Sequence, residues 1–230
     1  MRTADSALVI LTKAPKPGQS NTRLVPPLSF EEAADLAAAL LIDQVNHLGK
    51  YSAAQLFICY TPSGALSWIE ALLPPGASCF DQQGESLGDR MRHAVAYLFA
   101  RGFQRVILIG GDLPSLPLAI VDAAMESLTN ENCEVVLGPS LDGGYYLVGM
   151  SRTITEIFDG MIWSRDDVLA RTIEKLDDGK KNYKLLSSWY DIDTIADLRR
   201  LEADGGAAPA GPMEKTLALL RKLKQEGKLG

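Results

Sequence analysis

The chain has 230 residues, 47% hydrophobic and 23% charged, a composition that suits one large α/β domain or two small ones and excludes a disordered or fibrous chain. Its net charge of −6 and sequence pI near 5.0 argue against a general nucleic-acid binder, which presents a basic face. Cys59, Cys79 and Cys133 show no C-x-x-C spacing and read as free thiols in a reducing compartment. The N-terminal apolar run is too short for a signal peptide or a membrane span, so a cytoplasmic protein is expected.

Short apolar runs alternate with longer helix-like segments. Residues 7–11 read as a buried strand. Residues 29–49 read as a helix, with Ser29 as N-cap, Glu32 completing a capping box and Gly49 as the stop. A second strand is expected over 55–61, a short helix over 63–75 ended by Pro74-Pro75, and a third strand over 77–80. A helix over 85–102 leads to the fourth strand, 105–111, which runs into Gly110-Gly111 and then Asp112. Residues 115–128 read as a helix begun around Pro117. Strands over 133–140 and 145–150 follow, then a helix over 164–179, a strand-like stretch over 182–193 and a helix over 194–203. The Gly/Ala/Pro-rich segment 204–212 reads as a flexible hinge before a final amphipathic helix, apolar at Leu217, Leu220 and Leu223. Residues 1–204 are expected to form one domain. Residues 205–230 then form a linker and a helix that packs on that domain or on a partner subunit of a homodimer.

This alternation, with continuous apolar strands, predicts a mainly parallel sheet covered on both faces, a three-layer Rossmann-like α/β fold. In such sheets ligands bind beyond the carboxyl ends of the strands. Asp112 stands at such an end. The paired glycines let the backbone approach a ligand or take positive φ, and Pro114 and Pro117 stiffen the loop. A lone aspartate in a turn is otherwise an ordinary cap or Asx-turn residue.

Four further segments bear on chemistry. The loop after the first strand holds Lys13, Lys16, Arg23, Gly18, Ser20 and Thr22, cations and free N–H groups of the kind that hold phosphates. It matches neither the P-loop nor the G-x-G-x-x-G pattern, which argues against a P-loop kinase or a nicotinamide enzyme. In "WYDIDTIADL", Asp191 and Asp193 alternate at period two and face one side of an extended chain; Asp193-Thr194 also reads as a helix N-cap. Two aspartates from two strand ends, Asp112 and one of this pair, suit a hard divalent cation shared with phosphates. Asp142 precedes Gly143-Gly144, a hairpin turn that also suits closure over a small substrate. Gln82, Gln83, Gly84, Gly88 and Arg90 lie between a strand end and a helix start, as a polar loop or as amides that read a base edge. His47 and His93 fall inside helices, and no nucleophilic triad or G-x-S-x-G element is evident. Trp163 reads as a helix entry or an aromatic pocket wall.

Together and in order, "KAPKPGQSNTRLVPPLS", "QGESLGDRM", "GGDLPSLP", "GPSLDGGYYLVG", "WS" and "DIDTIADLRRL" resemble a bacterial glycosyltransferase-like family (DUF2064, or radical-SAM/selenodomain-associated transferase) of the nucleotide-diphospho-sugar transferase fold. The family is similar to the phospholactate guanylyltransferases and, more distantly, to the molybdenum-cofactor and sugar nucleotidyltransferases. The resemblance covers most of residues 7–203 and implies a GT-A type domain. By it, Lys13, Gly18, Thr22 and Arg23 belong to a phosphate-holding loop, and Gln83, Gly84 and Gly88 lie near a base. Asp112 and Asp193 are implied as ligands of Mg²⁺ or Mn²⁺. Asn21 stands where many members carry lysine, and Pro26-Pro27 where related nucleotidyltransferases carry Pro-Lys. Both changes remove charge that attack on an α-phosphate needs.

The expected function is metal-dependent transfer of sugar from a nucleotide-sugar to a small acceptor, with Arg23 and Asp112 stabilising the leaving diphosphate and Asp142 as acceptor base. Nucleotidyl transfer from a nucleoside triphosphate, with release of pyrophosphate, is the first alternative. A nucleotide-binding module without turnover is the second.

Overall fold

The first apolar run forms β1 (Ser6–Lys13), two residues longer at its C-terminal end than hydrophobicity alone predicts, because Thr12 and Lys13 still pair with the next strand. The computed structural model describes residues 5–163, 165–203 and 213–229. Ser164 and the expected hinge over 204–212 lie outside the described residues.

After β1 come α1 (Phe30–Leu48), β2 (Gln55–Thr61), α2 (Leu66–Glu70), β3 (Ser78–Asp81), α3 (Leu87–Ala100) and β4 (Arg105–Gly110). The second half holds α4 (Leu118–Thr129), β5 (Val135–Pro139), β6 (Tyr145–Met150), α5 (Val168–Asp178), β7 (Tyr183–Leu185), α6 (Ile195–Ala203) and α7 (Glu214–Gln225). Helix α1 starts at the expected capping box, in which Ser29 Oγ accepts from the Glu32 N–H at 3.2 Å and Glu32 Oε2 accepts from the Ser29 N–H at 2.9 Å. Helix α3 uses the same device, with Ser86 and Asp89.

Three expected elements are shorter than predicted. The helix over 63–75 is reduced to a 3-10 turn and α2, since the chain tightens into i→i−3 bonds at Leu72 and Leu73 before Pro74. The helix expected from residue 164 begins at Val168, with Asp167 at its N-cap position and the Asp167 carboxylate paired with Arg165 and Arg171 at 3.0 and 2.7 Å. The strand expected over 182–193 contracts to β7; beyond it the chain touches the sheet only intermittently, through Leu186, Trp189 and the Ser140–Trp189 bridge.

The sheet has seven strands in the order β3-β2-β1-β4-β6-β5-β7. All neighbouring pairs are parallel except those of β6, which runs antiparallel to β4 and β5. The order reverses between β1 and β4, so the loops after these two strands flank a crevice at the carboxyl edge.

Alternation sorts the strand side chains into two cores. Leu8, Ile10, Ile58, Ile107 and Ile109 face α1, α2 and α4. Ala7, Val9, Cys59, Val106 and Leu108 face α3 and α5. A third cluster joins Leu36 and Leu40 of α1 to Leu198 and Leu201 of α6 and Leu220 and Leu223 of α7, so α7 packs on α1 of its own chain. The three thiols are free; burial pushes that of Cys59 up to about 12.

The α7 N-terminus has no cap of its own. Asp43 of α1, 3% exposed, supplies one from outside: its carboxylate accepts the N–H groups of Lys215 and Thr216 at 3.2 and 2.7 Å. Asp43→Ala leaves the Lys215 and Thr216 N–H groups, the latter buried, without their acceptor and is expected to cost about 1–2 kcal/mol. That corresponds to a fall in Tm of roughly 2–8 °C for a chain of this size, read by calorimetry. An unchanged Tm would mean that apolar packing alone holds α7.

Candidate active site

Asp112 follows β4 by two residues, and the glycines between them serve packing. Neither takes positive φ. A Cβ on Gly111 would lie 2.6 Å from Oγ1 of Thr12 on the adjacent β1, so glycine is required for the close approach of the two strand ends. A Cβ on Gly110 would lie 3.0 Å from Oδ1 of Asp112, so glycine there leaves room for the carboxylate. Pro114 and Pro117 are buried, and Pro117 leads into α4.

Asp191, Ile192 and Asp193 form an extended stretch beside this loop. Ile192 is fully buried in the third core cluster, so period two turns both aspartates toward the crevice. The Ile192 N–H donates to the Asp112 main-chain carbonyl at 3.2 Å and pins the two acidic segments together. The expected capping role of Asp193 falls to its neighbour. Thr194 Oγ1 accepts from the Asp197 N–H at 3.4 Å, while Asp197 Oδ2 accepts from the Thr194 N–H at 2.8 Å. The Asp193 carboxylate is thereby left for other partners. Its Oδ2 meets Nη1 of Arg23 at 2.7 Å.

One carboxylate oxygen from each of Asp112, Asp191 and Asp193 can be chosen so that all three lie within 4.8 Å of one another. Burial, then the Asp191 charge, then that of Asp193, pushes the Asp112 carboxyl up to about 7. Burial and the Asp193 charge push Asp191 to about 6. Asp193 is also raised by burial, but Arg23 opposes the shift. Three acids with one paired cation are an unbalanced group, and converging hard oxygens suit Mg²⁺ or Mn²⁺.

Asp112 and Asp191 open on a cleft of about 480 Å³ between the two loops, a size typical of small-molecule sites. Lys13, Asn21, Asp112, Asp142 and Asp191 give it a polar wall, and Met91, Tyr145 and Trp163 an apolar one. Tyr145 and Trp163 meet edge to face with ring centroids 6.3 Å apart.

Of the expected residues, Lys13, Asp112 and Asp142 line this cleft, and Arg23 and Asp193 form the ion pair beside it. Asp142 sits in the β5–β6 hairpin turn, where its Oδ1 accepts from the Gly144 N–H at 3.0 Å, and its charge reaches both Asp112 and Asp191. Gly143 has φ +89°, and a Cβ there would lie 2.0 Å from the Asp166 carbonyl oxygen, so this turn admits only glycine. Gly18 (φ +74°), Thr22, Gln83 and Gly84 (φ +122°) do not line the cleft. Gly88 lies in the first turn of α3 against Trp163, where a Cβ would sit 3.2 Å from the indole.

Two readings of single residues change. The Gln82 amide donates to the main-chain carbonyls of Thr12 and Cys59 at 2.8 and 3.0 Å; it ties strand ends together and is spent as a base reader. Asn21 adopts φ 47°, ψ 40°, a left-handed conformation that asparagine takes more readily than lysine, which gives its presence a backbone reason. Asp191 joins the acid cluster although the expected metal pair named only Asp112 and Asp193; its alternation with Asp193 was the available signal.

The family model described as "Uncharacterized protein conserved in bacteria (DUF2064)" matches residues 44–165. A "putative nucleotide-diphospho-sugar transferase" from Desulfovibrio desulfuricans G20 is similar, with 31% identity, 96% of each chain covered and a TM-score of 0.85. A cytidylyltransferase from Leptospira borgpetersenii serovar Hardjo-bovis (strain JB197) shares the fold at 16% identity and a TM-score of 0.60, over 98% of this chain and 96% of that one. So does Rv0371C from Mycobacterium tuberculosis H37Rv, solved in complex with manganese, at 20% identity and a TM-score of 0.50, over 87% of this chain and 98% of that one. No curated protein matches the sequence. A family model spanning more than half of the chain, together with the Desulfovibrio likeness along nearly its whole length, establishes that this protein belongs to the bacterial DUF2064 family and carries the nucleotide-diphospho-sugar transferase fold.

Proposed function

We propose that this protein is a divalent-cation-dependent transferase that takes a nucleotide-sugar as donor and passes the sugar to a small acceptor. The observation that carries this reading is the convergence of Asp112, Asp191 and Asp193 at the switch point between β1 and β4. These three residues would hold Mg²⁺ or Mn²⁺, which supplies positive charge against the diphosphate of the donor. The name of the Desulfovibrio relative and the manganese of the mycobacterial neighbour support the same reading.

The chain's own residues divide the remaining work. Lys13, at the carboxyl end of β1, offers a cation to the diphosphate. Arg23 orients Asp193 through one nitrogen and, with its side chain 66% exposed, keeps other N–H groups for a phosphate oxygen. Gly18, Thr22 and Asn21 shape the loop that carries these groups, and Gln83, Gly84 and Gly88 shape the approach on the α3 side. Asp142 stands on the cleft wall near the acid cluster, placed to take a proton from an acceptor hydroxyl. Residues 1–204 form the transferase domain in this reading, with the 205–230 segment attached through α1.

The test is analysis of the leaving group. The protein is incubated with nucleotide-sugars or nucleoside triphosphates, with Mg²⁺, with Mn²⁺ or with chelator. Cation-dependent release of nucleoside diphosphate from one nucleotide-sugar is expected. Release of pyrophosphate from a triphosphate would replace this reading with nucleotidyl transfer. Cation-dependent stabilisation without turnover of any nucleotide would leave a binding module.

A further inference from the structure

Helix α1 carries three polar side chains in its buried face, Asp43, Gln44 and His47, exposed by 3%, 0% and 6%. Polar groups so placed must find partners. Asp43 caps α7, and Nε2 of His47 lies 3.0 Å from the Leu116 carbonyl oxygen. The Gln44 amide spans the acidic loop itself. Its Nε2 donates to the Gly110 carbonyl at 2.6 Å, and its Oε1 accepts from the Leu113 N–H at 3.2 Å. Asp112 lies between these two anchor points.

We infer that Gln44 is the positioning residue of the acid cluster. By holding the backbone on both sides of Asp112, it sets where that carboxylate stands relative to Asp191 and Asp193. The inference rests on the proposed role of the three aspartates as holders of a divalent cation. The loop between β4 and α4 has no ladder of its own; it is held by the Ile192 N–H bond to the Asp112 carbonyl and by side-chain bonds from Gln44, His47 and the Trp189–Ser115 pair, of which only Gln44 grips the backbone on both sides of Asp112. Helix α1 is a firm base for the clamp, capped at Ser29 and packed on both the sheet and α7. The Gln44 amide gives one donor and one acceptor in a single rigid plane and reaches both anchor points. Methionine has the reach without the bonds, and asparagine is one methylene short of spanning both.

Cation affinity is sensitive to such support, because small hard cations require their oxygens within narrow distances, and outer partners of ligands typically govern about 10–100-fold in affinity. The test is a Mn²⁺ titration of the full chain, read from the spin-resonance signal of free aqueous Mn²⁺. Wild type is compared with Gln44→Met, Gln44→Asn, Asp43→Ala and Asp112→Asn. Asparagine keeps an amide in the core and serves if the methionine variant does not fold. Both Gln44 variants are expected to weaken Mn²⁺ binding about tenfold or more. Asp43→Ala, one residue away on the same helix, is expected to lower Tm and keep the affinity. Wild-type affinity in a folded Gln44 variant overturns the inference. So does an equal loss in Asp43→Ala, which would tie affinity to stability and not to positioning. If wild type fails to bind Mn²⁺, or Asp112→Asn binds it as wild type does, the cation reading fails first and takes this inference with it.

Discussion

Asp112→Asn is expected to slow cation-dependent transfer roughly 10²–10³-fold and to raise the melting temperature of the metal-free protein at pH 8. The two effects have one cause. Asp112 is desolvated by burial and then crowded by Asp191 and Asp193, which is why its carboxyl is pushed up to about 7. At pH 8 it is ionised in wild type at a cost to folding. The amide keeps the volume, and its oxygen can still accept from the residue's own backbone N–H, the one hydrogen bond that favours the charged form. Each ~1 kcal/mol of relieved desolvation and repulsion raises Tm by about 2–4 °C in a chain of this size. Loss of a preorganised charge-stabilising group costs roughly 10²–10³ in rate. A variant that is more stable and slower separates a lost ligand from a damaged fold, since misfolding would lower both quantities. Undiminished cation-dependent turnover in the variant would remove Asp112 from the machinery.

How far this site could be read from the amino-acid sequence depends on the distance over which each signal acts. Several local signals held. The Ser29–Glu32 capping box, the β2 and β6 boundaries and the alternation of Asp191 with Asp193 are all written within a few residues. The position of Asp112 at a strand end was equally plain, because four apolar residues run straight into glycines. Signals that depend on a partner far along the chain were silent. Nothing near residue 23 announces Asp193, 170 residues away. The Gly143-Gly144 hairpin turn announces β6 antiparallel to β5, but nothing in Tyr145–Met150 announces its pairing with β4. The capping assignment at Asp193-Thr194 was one residue out, and this matters chemically. With Thr194 as the cap, Asp193 is released to the acid cluster. The Gly110-Gly111 pair suggested unusual backbone, whereas the need is for a missing Cβ against Thr12 and Asp112. Gln44 left one faint trace. It lies three residues after Leu41 and four before Leu48, a polar residue in the apolar stripe of α1.

The stabilisation that divalent cation gives this protein is expected to grow with pH. The carboxyls of Asp112 and Asp191 stand at about 7 and about 6 in the folded chain, against 3.8 as the ordinary value. Below pH 3.8 both are neutral whether folded or not, and their burial carries no charge penalty. As pH rises toward 7 the unfolded chain ionises first, so folding stability is lost through this window and the loss is complete above it. A cation held by the ionised cluster removes the penalty, so binding must release protons at pH 5–6 and tighten as pH rises. Other acids act in the reverse sense; Glu32, held low chiefly by Lys228, favours the folded state at higher pH with or without metal. The informative quantity is therefore the difference in Tm between Mn²⁺ and chelator at each pH, in which such groups cancel. That difference is expected to be small at pH 5, to grow through pH 6–7 and to level off by pH 8. Asp112→Asn should shrink it at every pH. A difference that is flat across this range, or absent, would mean that the three carboxylates relieve one another by protonation alone and that the crevice holds no cation.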